Sequence, residues 1–187
     1  MILLTTSRRP TKGIRTFCKD LSHTLPKILR INRGKLSLEG VAAKALELGA
    51  EKVVIVDRWK GGPGKIELYR VDGGLQSTPP LIYLRSVKLR REFQTMPKGR
   101  RIKSIAIASS PKQPQEVGRL EKALSEFFNI PIASNEDEYK DYNVIMQTSI
   151  NPAGEITTTF RLLPENVEIG PRMRISHLIW DLAVNEG

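Results

Sequence analysis

The sequence predicts a mixed α/β fold made of two similar halves, and three observations support this prediction. The chain has 187 residues, 40% of them hydrophobic, which is enough to bury a core without disulfides. Runs of β-prone residues alternate with apolar residues at helical spacing, which indicates alternating strands and helices. Residues 1–97 also resemble residues 98–187 in sequence. We therefore predict a single domain, 1–187, that contains two half-repeats.

The internal similarity follows a nearly constant shift along the chain. Three pairs of identical residues are separated by 103 positions: Ser7 and Ser110, Lys19 and Lys122, and Asn32 and Asn135. Two later pairs are separated by 90 positions: Val54 and Val144, and Gly64 and Gly154. The difference of 13 residues matches the length of segment 37–49. The second half is therefore predicted to lack one helix, with the acidic segment 136–138 bridging the gap.

The first half is predicted to alternate strands and helices and to end in a hairpin. Apolar residues at positions 14, 17, 21 and 25 indicate a helix from near Thr11 to just before Pro26. Ser37 as the N-cap and Gly49 as the C-terminal stop delimit the next helix. The predicted strands are 2–6, 27–31, 52–58, 65–71 and 81–89, with a glycine-rich turn at 61–64.

The second half repeats this order. Strand 102–108 is predicted to lead into a helix with four apolar residues on one face: Val117, Leu120, Leu124 and Phe127. Strands 143–148, 156–162 and 172–178 follow. Each half is thus a βαβ unit plus a hairpin, which predicts mixed sheets of parallel and antiparallel strands.

The composition excludes several classes of protein. The single cysteine, Cys18, excludes an intramolecular disulfide framework, and two histidines leave a zinc site short of ligands. No apolar run approaches the roughly 20 residues that span a bilayer, and the apolar start at 1–4 is too short for a signal peptide. The sequence predicts a cytoplasmic protein with no metal, no cofactor and no small-molecule substrate.

The charge is strongly positive and unevenly distributed. The net charge is +10, and residues 1–100 alone contain 21 basic and 8 acidic residues, a net of +13. Residues 101–187 contain 9 basic and 12 acidic residues, a net of −3. A basic balance of this size is typical of proteins that bind nucleic acid, although it also suits a merely solvated surface. Because the charge is concentrated in one half, we favour a polyanionic partner.

A first basic run surrounds the predicted loop between the first strand and the first helix. Backbone amides at a helix N-terminus together with guanidinium groups form a phosphate site. The loop does not match the nucleotide-binding P-loop pattern, and its alternative role is a solvated helix start. The candidate RNA-binding residues of this run are Arg8, Arg9, Lys12, Arg15, Arg30, Arg33 and Lys35.

A second basic run joins the two halves, and a smaller group lies at the predicted hairpin tip. The joining run is either an RNA contact or a soluble linker. At the tip, Trp59 would either stack on an unpaired base or pack on the turn. The candidates from these segments are Arg58, Lys60, Arg85, Lys88, Arg90, Arg91, Arg100 and Arg101.

The sequence contains no convincing catalytic constellation. Cys18 lies on a predicted helix without a dedicated base nearby, and Ser7 and Ser110 stand where helix caps are expected. An acidic cluster, comprising Glu136, Asp137, Glu138 and Asp141, could hold magnesium, but a solvated loop is the stronger interpretation. We therefore predict that the protein is not an enzyme.

Several segments carry a family resemblance that covers almost the whole chain. Near the start they are Thr5-Thr6-Ser7-Arg8-Arg9-Pro10, Ile31-Asn32-Arg33-Gly34, Val53-Val54-Ile55-Val56-Asp57 and the Gly-Pro-Gly turn. Near the end they are Thr159-Phe160-Arg161 and Glu168-Ile169-Gly170-Pro171-Arg172-Met173. Together they resemble the opening and closing motifs of the Brix domain family, in particular its single-domain archaeal proteins. Among eukaryotic members, the sequence is most similar to a small-subunit processome component. The family's central Gly-Pro-Thr signature is replaced by Ser77-Thr78-Pro79-Pro80.

The resemblance implies a non-enzymatic ribosome biogenesis factor. Such a protein would bind ribosomal RNA or its precursor, assist rRNA processing and subunit assembly, and work with ribosome-assembly proteins. The resemblance also implies that each half is similar to the anticodon-binding domain of class II aminoacyl-tRNA synthetases, and it adds Arg172 to the RNA-binding candidates. A tRNA-binding accessory module and, less favoured, a metal-dependent nucleic-acid enzyme remain as alternatives.

Overall fold

The computed structural model describes residues 1–59 and 62–183, without the side chains of residues 59, 62 and 63. The first half consists of β1 (Ile2–Thr6), α1 (Lys12–Thr24), β2 (Ile28–Arg30), α2 (Leu38–Glu47), β3 (Lys52–Trp59), β4 (Gly62–Val71) and β5 (Leu75–Lys88). A connector with a 3-10 turn at Arg90–Glu92 follows. The second half consists of β6 (Ile105–Ala108), α3 (Gln115–Phe128), β7 (Ile132–Ala133), α4 (Glu136–Tyr139), β8 (Val144–Ile150), β9 (Ile156–Leu162), β10 (Val167–Glu168) and β11 (Arg172–Ile179).

All eleven described strands belong to one mixed sheet. Its order is β2-β1-β3-β4-β5-β11-β9-β8-β6-β7, with β10 paired to β9 beside this path. β5 and β11 pair antiparallel and join the strands of the two halves in this single sheet. The mixed α/β class is confirmed, since β1 pairs parallel with β2 and β3, and β6 pairs parallel with β7 and β8.

Most predicted elements form where local patterns indicate them. β1 has the predicted bounds, and α1 begins after Thr11, whose hydroxyl accepts the Ile14 N–H at 3.3 Å. Ser37 caps α2 in the same way, accepting the Gly40 N–H at 3.0 Å. β5 begins at Leu75, six residues earlier than predicted, so the segment that replaces the Gly-Pro-Thr signature lies inside a strand. β7 and β10, each two residues long, are too short for a periodic pattern to indicate.

The acidic segment 136–138, predicted to bridge the gap left by a missing helix, forms most of α4, a four-residue helix capped by Asn135. The second half therefore has one helical turn after β7, where the first half has the ten-residue α2 after β2. In the sheet, Leu4 pairs with Val54, and Ile107 pairs with Met146. Ile107 lies 103 positions after Leu4, but Met146 lies 92 positions after Val54, whereas the sequence comparison predicts 90. The duplication of the two halves stays a prediction.

The two faces of the sheet are covered differently. α1 and α3 lie on the same face, where Phe17 and Leu120 belong to one core that extends across both halves. Strand side chains alternate between faces, so Val54 joins this core while Val53 points to the other face and packs with α2. The second half has only the single turn of α4 in place of α2. The sheet therefore has one continuous core and a second, smaller one under α2.

The connector is fastened to the second half by an aromatic contact. Phe93 lies against Gly170, which has a φ of +67°, and a Cβ at that position would collide with the Phe93 ring. The Lys88 ammonium lies 4.5 Å and the Arg172 guanidinium 5.3 Å from the centre of the same ring. Glycine is thus required at position 170 both by the close approach of the ring and by the backbone conformation.

Candidate nucleic-acid interface

A basic cleft of about 400 Å³ opens at the carboxyl ends of β1 and β2. The loop after β1 forms one wall and the loop after β2 forms the other. Crevices at the carboxyl ends of parallel strands are the usual ligand sites of open α/β sheets. The lining residues are Thr6, Arg8, Pro10, Arg15, Arg30, Ile31, Asn32, Arg33 and Gly34.

Three exposed arginines converge on this cleft. Arg8 lies in the loop after β1, Arg15 lies on the first turns of α1, and Arg30 ends β2. Neither Arg15 nor Arg30 forms an ion pair with any other described residue, and the first turn of α1 contains no acidic residue. The cleft therefore combines guanidinium groups with the positive end of a helix, which is an arrangement that binds phosphate.

Arg8 also lies close to the beginning of α2. Its Nε donates a long hydrogen bond of 3.4 Å to the Leu36 carbonyl. The pKa of Glu39, in the first turn of α2, is lowered by hydrogen bonds from the Glu39 backbone and from Ser37. The positive charge of the nearby Arg8 lowers this pKa further. Arg8 remains exposed, so its guanidinium can still contact a ligand in the cleft.

Arg33 supports the cleft wall and is not a free cation. It is only 7% exposed, its Nε donates to the Leu36 carbonyl at 2.7 Å, and its Nη1 donates to the Thr6 carbonyl at 3.0 Å. Burial is the main cause that lowers its pKa. These contacts hold the loop after β2 against the end of β1. Arg33 therefore has a structural role in the cleft wall, and its contact with phosphate stays an untested prediction.

Three further candidates are also held by protein groups. The backbone N–H of Arg90 donates to Asp20 Oδ2 at 3.0 Å, and its guanidinium donates to the Thr24 hydroxyl. Arg100 pairs with Glu165 at 2.9 Å, and Arg172 makes two 2.6 Å hydrogen bonds to Glu168. These bonds engage only part of each guanidinium group, and the buried Nε of Arg90 has no hydrogen-bond partner among the described residues. An RNA contact by Arg90, Arg100 or Arg172 therefore stays a prediction.

The remaining candidates differ in how free they are. Arg85 is exposed but lies 3.1 Å from Glu155, and Lys88 is exposed beside Phe93. Seven other candidates are exposed and form no ion pair with another described residue: Arg8, Arg9, Lys12, Lys35, Arg58, Arg91 and Arg101. Lys60 and the side chain of Trp59 lie outside the described residues.

Comparison with known proteins gives relatives of one kind. A probable Brix domain-containing ribosomal biogenesis protein of Aeropyrum pernix is 47% identical over 70 residues, which cover 37% of this chain and 39% of that protein. The corresponding protein of Thermococcus kodakarensis is 36% identical over 99 residues, which cover 52% of this chain and 48% of that protein. The matches thus span about half or less of the curated relatives' length. No family model matches the chain.

Solved structures agree over nearly the whole chain. The crystal structure of a probable ribosomal biogenesis protein from Aeropyrum pernix superposes with a TM-score of 0.75 and 29% identity, covering 95% of this chain and 98% of that one. The resemblance to the Brix domain family is confirmed. The crystal structure of an archaeal Imp4-like protein superposes with a TM-score of 0.65, covering 96% of this chain and 99% of that one. At 21% sequence identity, this likeness supports the fold alone.

The Brix-like motifs have separate structural roles. The opening motif contributes Thr6, Arg8 and Pro10 to one wall of the cleft, and the Asn-Arg-Gly segment contributes the other wall. The closing motif holds the connector through Gly170 and pairs Arg172 with Glu168. The hydrogen bonds between the two side chains raise the pKa of Arg172 and lower the pKa of Glu168. In the opening motifs Arg8 has no carboxylate partner among the described residues, whereas Arg172 of the closing motif is paired with Glu168.

The catalytic alternatives gain no support from the geometry. Cys18 is fully buried, and this burial raises the pKa of its thiol to about 12. The thiol is therefore protonated at neutral pH and is a poor nucleophile. In the described ranges, no three His, Cys, Asp or Glu side chains form a group that could hold a metal ion. No helix in those ranges is long and apolar enough to cross a membrane.

Sequence analysis identified the cations but not their partners. Arg100 and Glu165 are separated by 65 residues, and Arg174 is paired at 2.7 Å with Glu155, which also contacts Arg85. No local spacing indicates such pairs. Sequence analysis also attached no function to a second cleft, beside α4, which is described below.

Proposed function

We propose that this chain is a ribosome biogenesis factor that binds pre-ribosomal RNA and assists its processing and the assembly of a ribosomal subunit. The observation that carries this proposal is the convergence of Arg8, Arg15 and Arg30 on one cleft at the start of α1. The names of the curated relatives support the biological setting. The chain acts by binding and positioning RNA rather than by catalysis, and its protein partners are other assembly factors.

In this mechanism the cleft holds one or more backbone phosphates. The backbone N–H groups at the start of α1 and the guanidinium groups of the three arginines bind the phosphate oxygens. Secondary contacts come from exposed cations around the cleft and on the connector: Arg9, Lys12, Lys35, Arg58, Arg85, Lys88, Arg91 and Arg101. Release of counterions from the RNA then makes the affinity depend strongly on salt.

The two halves arose by duplication in this proposal. The support is that the pairing order β2-β1-β3-β4-β5 has a counterpart in β7-β6-β8-β9-β11, with parallel and antiparallel pairs in the same positions. The likeness of each half to the anticodon-binding domain of class II aminoacyl-tRNA synthetases remains a prediction, which superposition of each half on such domains will test. Because the curated relatives are archaeal, the proposed location is the cytoplasm.

A salt titration of RNA binding tests the proposal. The variant Arg8→Ala/Arg15→Ala/Arg30→Ala removes three charges from the cleft, and Arg70→Ala/Lys112→Ala/Lys122→Ala removes three exposed charges elsewhere. Each lost phosphate contact flattens the log–log salt slope by roughly 0.7 to 0.9. We expect the cleft variant to weaken binding to rRNA fragments and to reduce the slope by about two.

The control variant decides whether the cleft or the total charge matters. Equal losses in both variants would show that only the net charge attracts RNA, and the cleft would not be the site. A parallel titration with tRNA separates the alternative function, because a tRNA-binding module would prefer tRNA to rRNA fragments of equal length. Far-ultraviolet circular dichroism of both variants checks that the fold is retained.

A further inference from the structure

A second cleft, of about 610 Å³, lies in the other half of the molecule, over strands β8 and β9. It is bounded by α4 and by the turn that follows β9. The volume is in the range of sites that take a small ligand or one nucleotide, roughly 300 to 1,000 Å³. Its lining includes Tyr139, Ile145, Gln147, Arg161, Leu163 and Pro164.

The cleft exists because this face of the sheet has no long helix over it. In the first half, Val41 and Ala45 of α2 pack on Val53 and Ile55 of the sheet. In the second half α4 is a single turn. Ile145, which points to the same face as Arg161 opposite it in β9, therefore forms the floor of an open cleft.

The walls offer the groups that recognise an unpaired base. Tyr139 is half-buried and presents an aromatic ring, while Ile145, Leu163 and Pro164 supply apolar contacts. Gln147 is exposed, and its amide has both donors and an acceptor, which can pair with the edge of a base. Protein sites for unpaired RNA bases commonly combine stacking with hydrogen bonds of this kind.

Arg161 is oriented at the side of the cleft. Its Nε donates to Asn166 Oδ1 at 2.9 Å and its Nη2 donates to the Asn166 carbonyl. Its Nη1 has no hydrogen bond to another described residue. Two other charges line the cleft, Lys140 and Glu136. Lys140 pairs only loosely with the exposed Asp137, at 3.5 Å. Arg161 is therefore the one lining cation without a carboxylate partner among the described residues, and its Nη1 can contact a phosphate.

We propose that this second cleft takes one unpaired base of the RNA that the first cleft binds. The base stacks on Tyr139, its edge pairs with the Gln147 amide, and its phosphate contacts Arg161. The proposal rests on the proposed function, since the base belongs to the same RNA. It adds a preference for RNA with an unpaired nucleotide over a fully paired helix.

The test compares two RNA hairpins that differ by one bulged nucleotide. Tyr139→Ala and Gln147→Ala are measured in the full chain, with Tyr142→Ala and Gln115→Ala as controls outside the cleft. Stacking of one base accounts for roughly a fivefold to hundredfold change in affinity. We expect Tyr139→Ala to reduce the preference for the bulged hairpin about tenfold and Gln147→Ala to reduce it severalfold, while both controls retain it.

The salt slope distinguishes the two clefts. Neither Tyr139→Ala nor Gln147→Ala removes a phosphate contact, so their slopes should equal that of the wild type. If Tyr139→Ala and Gln147→Ala keep the full bulge preference while the triple arginine variant loses affinity, the second cleft does not bind a base and the proposed function stands. If the triple arginine variant also binds normally, the proposed function fails as well.

Photocrosslinking identifies the occupant independently. A photoreactive residue in place of Lys140, at the edge of the cleft, should crosslink to RNA in cells, and the crosslink should weaken with Gln147→Ala. Crosslinks to protein alone would overturn the proposal in favour of a peptide-binding cleft. Because Gln147 is exposed on a strand, Gln147→Ala keeps the test valid even if Tyr139→Ala disturbs α4.

Discussion

The crossover after β1 and the crossover after β6 follow the same path but carry different chemistry. After β1, arginines surround an open cleft at the start of α1. After β6, Gln113 donates hydrogen bonds to Ser109 and to Glu121, a carboxylate that is only 1% exposed. Burial raises the pKa of Glu121, although bonds from Gln113 and Ser109 oppose this effect. The crossover after β1 therefore presents several free cations, and the crossover after β6 contains a buried polar network in which one Glu121 oxygen has no hydrogen-bond partner among the described residues.

The difference shows that two crossovers with the same path can place very different side chains at the strand ends. Both crossovers connect parallel strands through a helix of 13 or 14 residues. The charge of the side chains at the strand ends distinguishes the basic cleft, for which we propose phosphate binding, from the buried network.

The closing motif should matter for stability rather than for binding. Gly170→Ala places a Cβ into the Phe93 ring at a positive φ, and we expect it to lower the free energy of unfolding by about 3 kcal/mol. Gly118→Ala in α3 is the control, because its Cβ would meet only Gln113 at 3.5 Å. Urea denaturation measures both, and equal stability of the two variants would contradict the contact with Phe93.

Reversing one charge in the first cleft should weaken RNA binding far more than reversing one charge in the second half. Arg15→Glu replaces a lining cation by an anion, and we expect RNA affinity to fall about 30-fold through a lost phosphate contact and new repulsion. Lys122→Glu makes the same reversal at an exposed position on α3. Filter binding at one salt concentration compares them, and a loss as large for Lys122→Glu would place RNA on both halves.

Two arginines of the same cleft should behave in opposite ways. Arg33→Ala leaves the Thr6 and Leu36 carbonyls without their guanidinium partner, so stability should fall by about 2 kcal/mol. Arg8→Ala removes an exposed side chain and should change stability by less than about 0.5 kcal/mol while weakening RNA binding. Thermal unfolding, urea unfolding and RNA binding are measured for both variants. Equal losses of stability in the two variants would show that Arg33 does not support the cleft wall more than Arg8 does.

Glu121 should make stability depend on pH. Its folded pKa lies above the ordinary 4.5, so the unfolded state ionises first and stability declines as the pH rises from about 4.5 towards the folded pKa. Glu121→Gln removes this ionisation. We expect the variant to be more stable than the wild type at pH 8, with a difference that closes as the pH falls to 4.5. A constant difference at every pH would show that Glu121 ionises normally in the fold.

The smallest effect is expected at the paired arginines of the second half. Arg172→Ala and Arg174→Ala remove cations that Glu168 and Glu155 already neutralise. RNA affinity should change less than about twofold and the salt slope should stay constant, because no phosphate contact is lost. Salt titrations of RNA binding by both single variants measure the affinity and the slope. A slope reduced by about 0.7 in either variant would show that its arginine contacts an RNA phosphate.

Local sequence patterns predicted the elements well, because helices and strands depend on neighbouring residues. The spacing of Ile14, Phe17 and Leu21 indicated α1, and the serine at position 37 and the glycine at position 49 delimited α2. The patterns missed β7, which has two residues, and they placed the start of β5 too late. Short strands exist only because a neighbouring strand pairs with them, so they leave no periodicity of their own.

The sequence predicted which basic residues surround the candidate site, but not which of them form contacts with other parts of the chain. The amino-acid sequence shows that cations concentrate before residue 100, and it predicts that α1 begins just after a basic loop. Which of these cations are free depends on contacts made in the folded chain. Arg33 is buried by contacts with Thr6 and Leu36, and Arg100 is occupied by a glutamate 65 positions away. Such contacts depend on how β1, β2 and the connector pack, and packing brings together residues whose separation along the chain follows no local rule.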